Sequence, residues 1–143
     1  MRTFVLKALA AAGMLVAAVS ASSANALVAR IDVSSQTMIV SQHGRVLYTW
    51  PVSTARQGYV TPRGQYKPTR MHKMWYSRKY DMSPMPYSIF FRGGYAIHGT
   101  NYVKQLGRPA SHGCVRLHTA NAATLYSLVR EAGPGNTQIV VTN

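Results

Sequence analysis

The sequence predicts a mainly β domain with one main helix, on three observations. Short apolar alternations recur between turn residues along most of the chain, as half-buried strands require. Only one stretch, after position 118, carries a sustained 3.6-residue stripe. No later run approaches the length of a membrane span, and no internal repeat is visible.

Taken in order, the first 26 residues read as a secretory signal peptide. MRTFVLK is a short basic start, Ala8 to Val19 is a short apolar run, and Ala24 and Ala26 stand at the −3 and −1 places of an A-x-A cleavage site. Residues 27–143 then form the mature domain, expected to be soluble and monomeric and to sit in the periplasm or elsewhere in the cell envelope. Within it, RIDVS (30–34) alternates, with Ile31 and Val33 on one face. QTMIVSQ, the turn at 43–45 and VLYTWPV (46–52) read as a hairpin, with Val46, Tyr48, Trp50 and Val52 on one face. TPRG (61–64) has the Pro and Gly places of a type I turn. YSIFF, RGG and YAIH form a second hairpin, where Ala96 and His98 face opposite to Tyr95 and Ile97. Thr119 is positioned to cap a helix carrying Ala122, Leu125, Val129 and Ala132, which Gly133-Pro134 stops. TQIVVT (137–142) closes as a strand.

The composition excludes several chemistries. Sixteen Lys and Arg face only three acids, Asp32, Asp81 and Glu131, a formal charge of +13 that falls to +11 if Arg2 and Lys7 leave with the leader. So few carboxylates disfavour glycoside cleavage by a carboxylate pair and oxygen-rich Mg²⁺ or Ca²⁺ sites. For an exported chain, the polyanions to expect are wall polymers and anionic surfaces, and nucleic acid is not expected.

One cysteine cannot staple the chain internally. Cys114 lies in SHGCVRL, among polar residues, with His98, His112 and His118 within sixteen residues and Arg116 two places on. A thiol attacks as its thiolate, and a base or a positive field supplies that form. Cys114 therefore reads as a nucleophile. Zinc chemistry is a poor match, because no CxxC or HExxH spacing accompanies the cysteine, and neither metal nor cofactor is called for. Gly113 allows a sharp turn, and amides around Gly113 and Cys114 suit a developing oxyanion. Spacing does not choose the base: His112 lies about 6.6 Å along an extended chain from Cys114, and His98 can arrive on a neighbouring strand. Asn101, a backbone carbonyl or Asp81 can orient it.

Residues 97–117, IHGTNYVKQLGRPASHGCVRL, closely resemble the signature of the L,D-transpeptidase catalytic domain (the YkuD family). HGT at 98–100 and SHGCVRL at 111–117 carry the likeness. TPRGQY at 61–66 and MPYSIFF at 85–91 resemble two upstream landmarks, so it covers essentially the whole mature chain. The resemblance implies a β-rich, sandwich-like catalytic domain, with Cys114 as nucleophile, His98 as general base and the Gly99 carbonyl orienting the imidazole. His112 would line the site, and amides near Gly113 and Cys114 would form the oxyanion hole. Arg116 would hold a substrate carboxylate or brace the loop. The implied substrates are peptidoglycan stem tetrapeptides, which lose D-alanine to a Cys114 thioester. The acceptor is a second stem in 3→3 crosslinking, an envelope protein, or water in an L,D-carboxypeptidase. A wall-binding module without catalysis, and an adhesion protein paired through Cys114, are the rival readings. Lys73 to Tyr87 interleaves basic residues with aromatics, and Trp75 and Tyr80 there are read as substrate-binding on a loop, or as ordinary packing.

Overall fold

The computed structural model describes Gly13 and residues 27–143; the expected signal peptide lies outside the described residues. Among the described residues, nine strands and one α-helix run β1 (Leu27–Asp32), β2 (Thr37–Gln42), β3 (Arg45–Pro51), β4 (Gly64–Tyr66), β5 (Arg70–Ser77), β6 (Ser83–Arg92), β7 (Tyr95–Thr100), β8 (Val115–His118), α1 (Thr119–Ala132) and β9 (Thr137–Thr142). They form a five-stranded sheet in the order β3-β2-β1-β9-β4 and a four-stranded sheet in the order β5-β6-β7-β8. Among the described residues no helix is long and apolar enough to cross a membrane.

Alternation makes the core. Leu27, Ala29, Ile31, Met38, Val40, Ile139 and Val141 project from the five-stranded sheet, and Ile89, Phe91, Ile97, Val115 and Leu117 from the other. Ala122, Leu125, Tyr126 and Val129 of α1 join the same cluster. Each such large side chain contributes about 1.5–3 kcal/mol when it leaves water. The two sheets and the helix thus share one core.

Both expected hairpins and the closing strand are present. The face assigned to β3 fails at Val46. Val40 pairs with Tyr48 and Ser41 with Val46, so Leu47 is an extra residue that breaks the alternation. Trp50 and Val52 are buried and Tyr48 stacks on Trp50 at 4.8 Å on the same face, whereas Val46, beyond the bulge, is exposed. TPRG is not a turn either. The turn lies earlier, where the Tyr59 amide donates to the Arg56 carbonyl and Gly58 has φ 91°. The helix cap also moves back one residue: the His118 Nδ1 accepts from the Ala120 amide, while the Thr119 hydroxyl points to the Thr100 carbonyl.

The segment from Lys73 to Tyr87 is no loop. It is the outer part of the β5–β6 hairpin, closed by a 3₁₀ turn at Arg78–Tyr80 and by Asp81 and Met82 at φ 53° and 55°. The alternation there is broken, since the adjacent Met74 and Trp75 both line one cavity.

Candidate active site

The face of the four-stranded sheet turned away from the shared core builds the site. Phe90, Ala96 and Met85 form a second buried cluster, against which Trp75 and Cys114 pack. β7 and β8 run parallel, with His98 opposite Arg116 and Ile97 opposite Val115, so one step back in that register sets Cys114 beside Ala96. Ala96 and His98 share a face, as the alternation of YAIH requires. The sheet therefore delivers His98, Cys114 and Arg116 to one cavity of about 870 Å³, which Trp75, Tyr80 and His112 also line.

His98 is buried, and its Nδ1 lies 2.7 Å from the Gly99 carbonyl oxygen. A carbonyl only accepts, so Nδ1 carries the hydrogen and Nε2 keeps its lone pair. Burial lowers the imidazole from 6.5 to about 4; the Gly99 bond opposes this and the Arg116 charge adds to it. Burial pushes the Cys114 thiol above its ordinary value, against the smaller opposing effects of the Ala96 amide and Arg116. Both groups are therefore neutral at rest, with the thiol directed to the Gly94 carbonyl at 3.9 Å and the imidazole to that of Gly99. Gly99 is a glycine for reasons of space, because a Cβ there would fall 2.9 Å from the Thr119 Cα at the start of α1.

A neutral buried imidazole predicts acid sensitivity. The folded His98 titrates near 4 and the unfolded chain near 6.5, so protons bind the unfolded state first as pH falls. Stability present above pH 6.5 is then lost down to about pH 4, by about 3 kcal/mol in all. Urea midpoints measured from pH 7 to 4 check this. His98→Gln is expected to flatten that slope, and an unchanged slope would rule His98 out as its source.

The turn before Cys114 is clamped by two hydroxyls that the sequence reading passed over. The Ser111 hydroxyl donates to the Cys114 carbonyl at 2.6 Å and accepts from the Gly113 amide at 3.0 Å. Thr61, inside the supposed TPRG turn, donates to the Gly113 carbonyl at 2.8 Å and accepts from the Ala55 amide at 3.0 Å. The Gly113 N–H, expected to face an oxyanion, is thus engaged by Ser111. The connection after β3 holds the other side, where Ser53 and Arg116 exchange both backbone hydrogen bonds. Arg116 donates to the Gln105 side chain at 3.1 Å, which braces the guanidinium while it faces the cavity.

His112 sits in an aromatic stack. Tyr80 lies nearly flat on it at 4.1 Å and 12°, and Tyr59 meets it edge-on at 4.8 Å. Partial burial, then the charges of Arg56, Arg116 and Lys79, lower its pKa. Trp75 meets Phe90 edge-on at 5.6 Å and walls the cavity. His43 lies in the β2–β3 turn, and His72 stands beside Trp75. Asp81 and Asn101 are not the partners of His98 Nδ1; Gly99 holds that place.

Comparison with known proteins identifies the family and matches the fold. A sequence model of the YkuD family, described as the L,D-transpeptidase catalytic domain, matches residues 27–141. The YkuD protein of Bacillus subtilis (strain 168) is 25% identical over 116 residues, covering 78% of this chain and 63% of that one. The structure of an L,D-transpeptidase from Mycobacterium smegmatis superposes with a TM-score of 0.74 at 22% identity, covering 82% of this chain and 59% of that one. L,D-transpeptidase 3 from Mycobacterium tuberculosis, solved with a faropenem-derived adduct, gives 0.69 at 21%, covering 82% and 60%. The chain thus spans about three fifths of these relatives' length, and the structural matches share its two-sheet fold. With the family match running from the first strand to the last, the chain belongs to the L,D-transpeptidase catalytic domain family.

Proposed function

We propose that this chain is an exported cysteine acyltransferase, with residues 1–26 as its leader and 27–143 as its catalytic domain, acting on peptidoglycan stem tetrapeptides in the periplasm or cell envelope. One observation carries the reading: a neutral thiol and a neutral imidazole share a cavity, and the imidazole is held by Gly99 with Nε2 as its basic nitrogen. His98 takes the thiol proton as Cys114 Sγ attacks the carbonyl between residue three and the terminal D-alanine. The carbon–sulfur bond forms, the C–N bond breaks, and the same proton passes to the departing amine. An incoming amine then gives His98 a proton, displaces the thiolate and forms the new amide, and the proton returns to sulfur. With the Gly113 N–H engaged by Ser111, the Cys114 amide is the oxyanion donor left in the turn. Arg116 holds a stem carboxylate near the cleaved bond.

Incubating the purified protein with a disaccharide-tetrapeptide, beside Cys114→Ala, tests the reading by mass spectrometry. Loss of D-alanine with a thioester on the intact protein, both absent from the variant, is the expected outcome. Crosslinked dimer identifies a stem amine as acceptor, and tripeptide alone identifies water. Binding without turnover in the reduced protein would sink the enzymatic reading in favour of a wall-binding module.

A further inference from the structure

The cavity carries more positive charge than the reaction uses. Arg70, Arg78, Lys79 and Arg116 line it, and no Asp or Glu does. Lys79 is drawn over the Tyr80 ring at 5.5 Å, and Arg116 is braced by Gln105. Arg70 is held differently. Its guanidinium lies over the Phe90 ring at 3.6 Å and beside Trp75 at 4.6 Å, with Nη1 3.4 Å from His72 Nε2. Two rings flank an exposed charge that has no protein carboxylate, while its residue lines the cavity. Such a fork binds a carboxylate with little further loss of freedom.

Its place follows from the register. Arg70 pairs with Phe90 and Phe90 with Ala96, and Cys114 packs against Ala96, so the four form one row across the sheet. Neighbouring strands lie about 4.8 Å apart, which sets Phe90, and the guanidinium above it, about 10 Å from Cys114. A peptide residue spans about 3.5 Å, so this is about three residue lengths from the attacked carbonyl.

We infer that Arg70 is a specificity-determining anion subsite that receives a carboxylate of the donor stem remote from the cleaved bond. The inference rests on the proposed donor class. Two carboxylates have that chemistry: the free α-carboxylate of a residue two joined through its side chain, and the side-chain carboxylate of a diaminopimelate at residue three. Arg116 lies one row from Cys114 and serves the near end, whereas Arg70 reads the far end. A stem amidated at the position Arg70 reads is a poorer donor.

Three tetrapeptide donors test this: one with both carboxylates free, one with a carboxamide at residue two, and one with lysine at residue three. Their Kd values are measured by calorimetry on the Cys114→Ala protein, with and without Arg70→Gln or Arg70→Lys, and their turnover on the protein with its cysteine. Arg70→Gln is expected to weaken the free-acid donor about tenfold, equivalent to about 1.4 kcal/mol. It leaves unchanged the donor that lacks the contacted carboxylate, which identifies that carboxylate. Arg70→Lys keeps the charge but loses the flat fork, and recovers only part of the affinity. Equal weakening of all three donors would mean a general field effect and overturn the subsite, as would no weakening of any. Donors that bind without turnover would count against the transfer reaction, while the Kd pattern still decides Arg70.

Discussion

Replacing His98 by glutamine is expected to lower turnover about 10²–10⁴-fold with little change in donor affinity, the usual cost of losing a positioned general base. The pH profile separates this role from a structural one. Burial raises the Cys114 thiol, so thiolate is scarce at neutral pH unless a base removes the proton during attack. The parent protein, whose imidazole titrates near 4, is expected to hold a flat rate from about pH 5 to 8. His98→Gln depends instead on free hydroxide, and its rate is expected to climb about tenfold per pH unit toward the raised thiol pKa. Parallel profiles would remove His98 from the proton path.

Gly113→Ala is expected to inactivate the protein nearly as fully by a different route. Gly113 has φ 133°, and a Cβ there would lie 2.6 Å from the Tyr95 ring and 2.9 Å from the Val60 carbonyl. Strain of this kind costs about 1–3 kcal/mol before any clash is relieved. The turn would have to move, loosening the Thr61 and Ser111 bonds that set the height of Cys114. A displacement of about 1 Å at a reacting atom costs about 100-fold in rate. Removing the ring with Tyr95→Ala relieves the closer contact but leaves the Val60 carbonyl and the backbone strain, so the double variant should regain part of its stability before activity. Thermal melts and single-turnover acylation measure the two separately, and full activity in Gly113→Ala would show that the backbone geometry of this turn is dispensable.

The parts legible in the sequence are those written in local periodicity. Both hairpins, α1 and the closing strand follow from alternation or a 3.6-residue stripe, and YAIH placed His98 on the face opposite Ile97. What escaped depends on partners distant in sequence. Thr61 looked like turn chemistry because Pro62 and Gly64 flank it, but its hydroxyl is needed beneath Gly113, 52 residues away. Ser111 stood inside the quoted motif without a role, because its partners are backbone atoms that no side-chain pattern reveals. The β3 face failed at Leu47, where a bulge costs the pattern one residue and leaves no mark on composition. The hairpin carrying Trp75 and Tyr80 resembles a loop in sequence because its exposed strands mix charges and rings without clean alternation.

The place of β9 has a consequence for how the molecule comes together. β9 lies between β1 and β4, parallel to β1, with Leu27 beside Thr137 and Asp32 beside Thr142. The first strand of the domain therefore waits for the last before its open edge is filled. Loop closure of that length is slow, and topologies dominated by such pairings fold in milliseconds to seconds. Without residues 137–142 one edge of β1 stays unpaired. Completion of the sheet thus waits on residues 137–142, and the row from Arg70 to Cys114 settles onto a shared core only once they are in place.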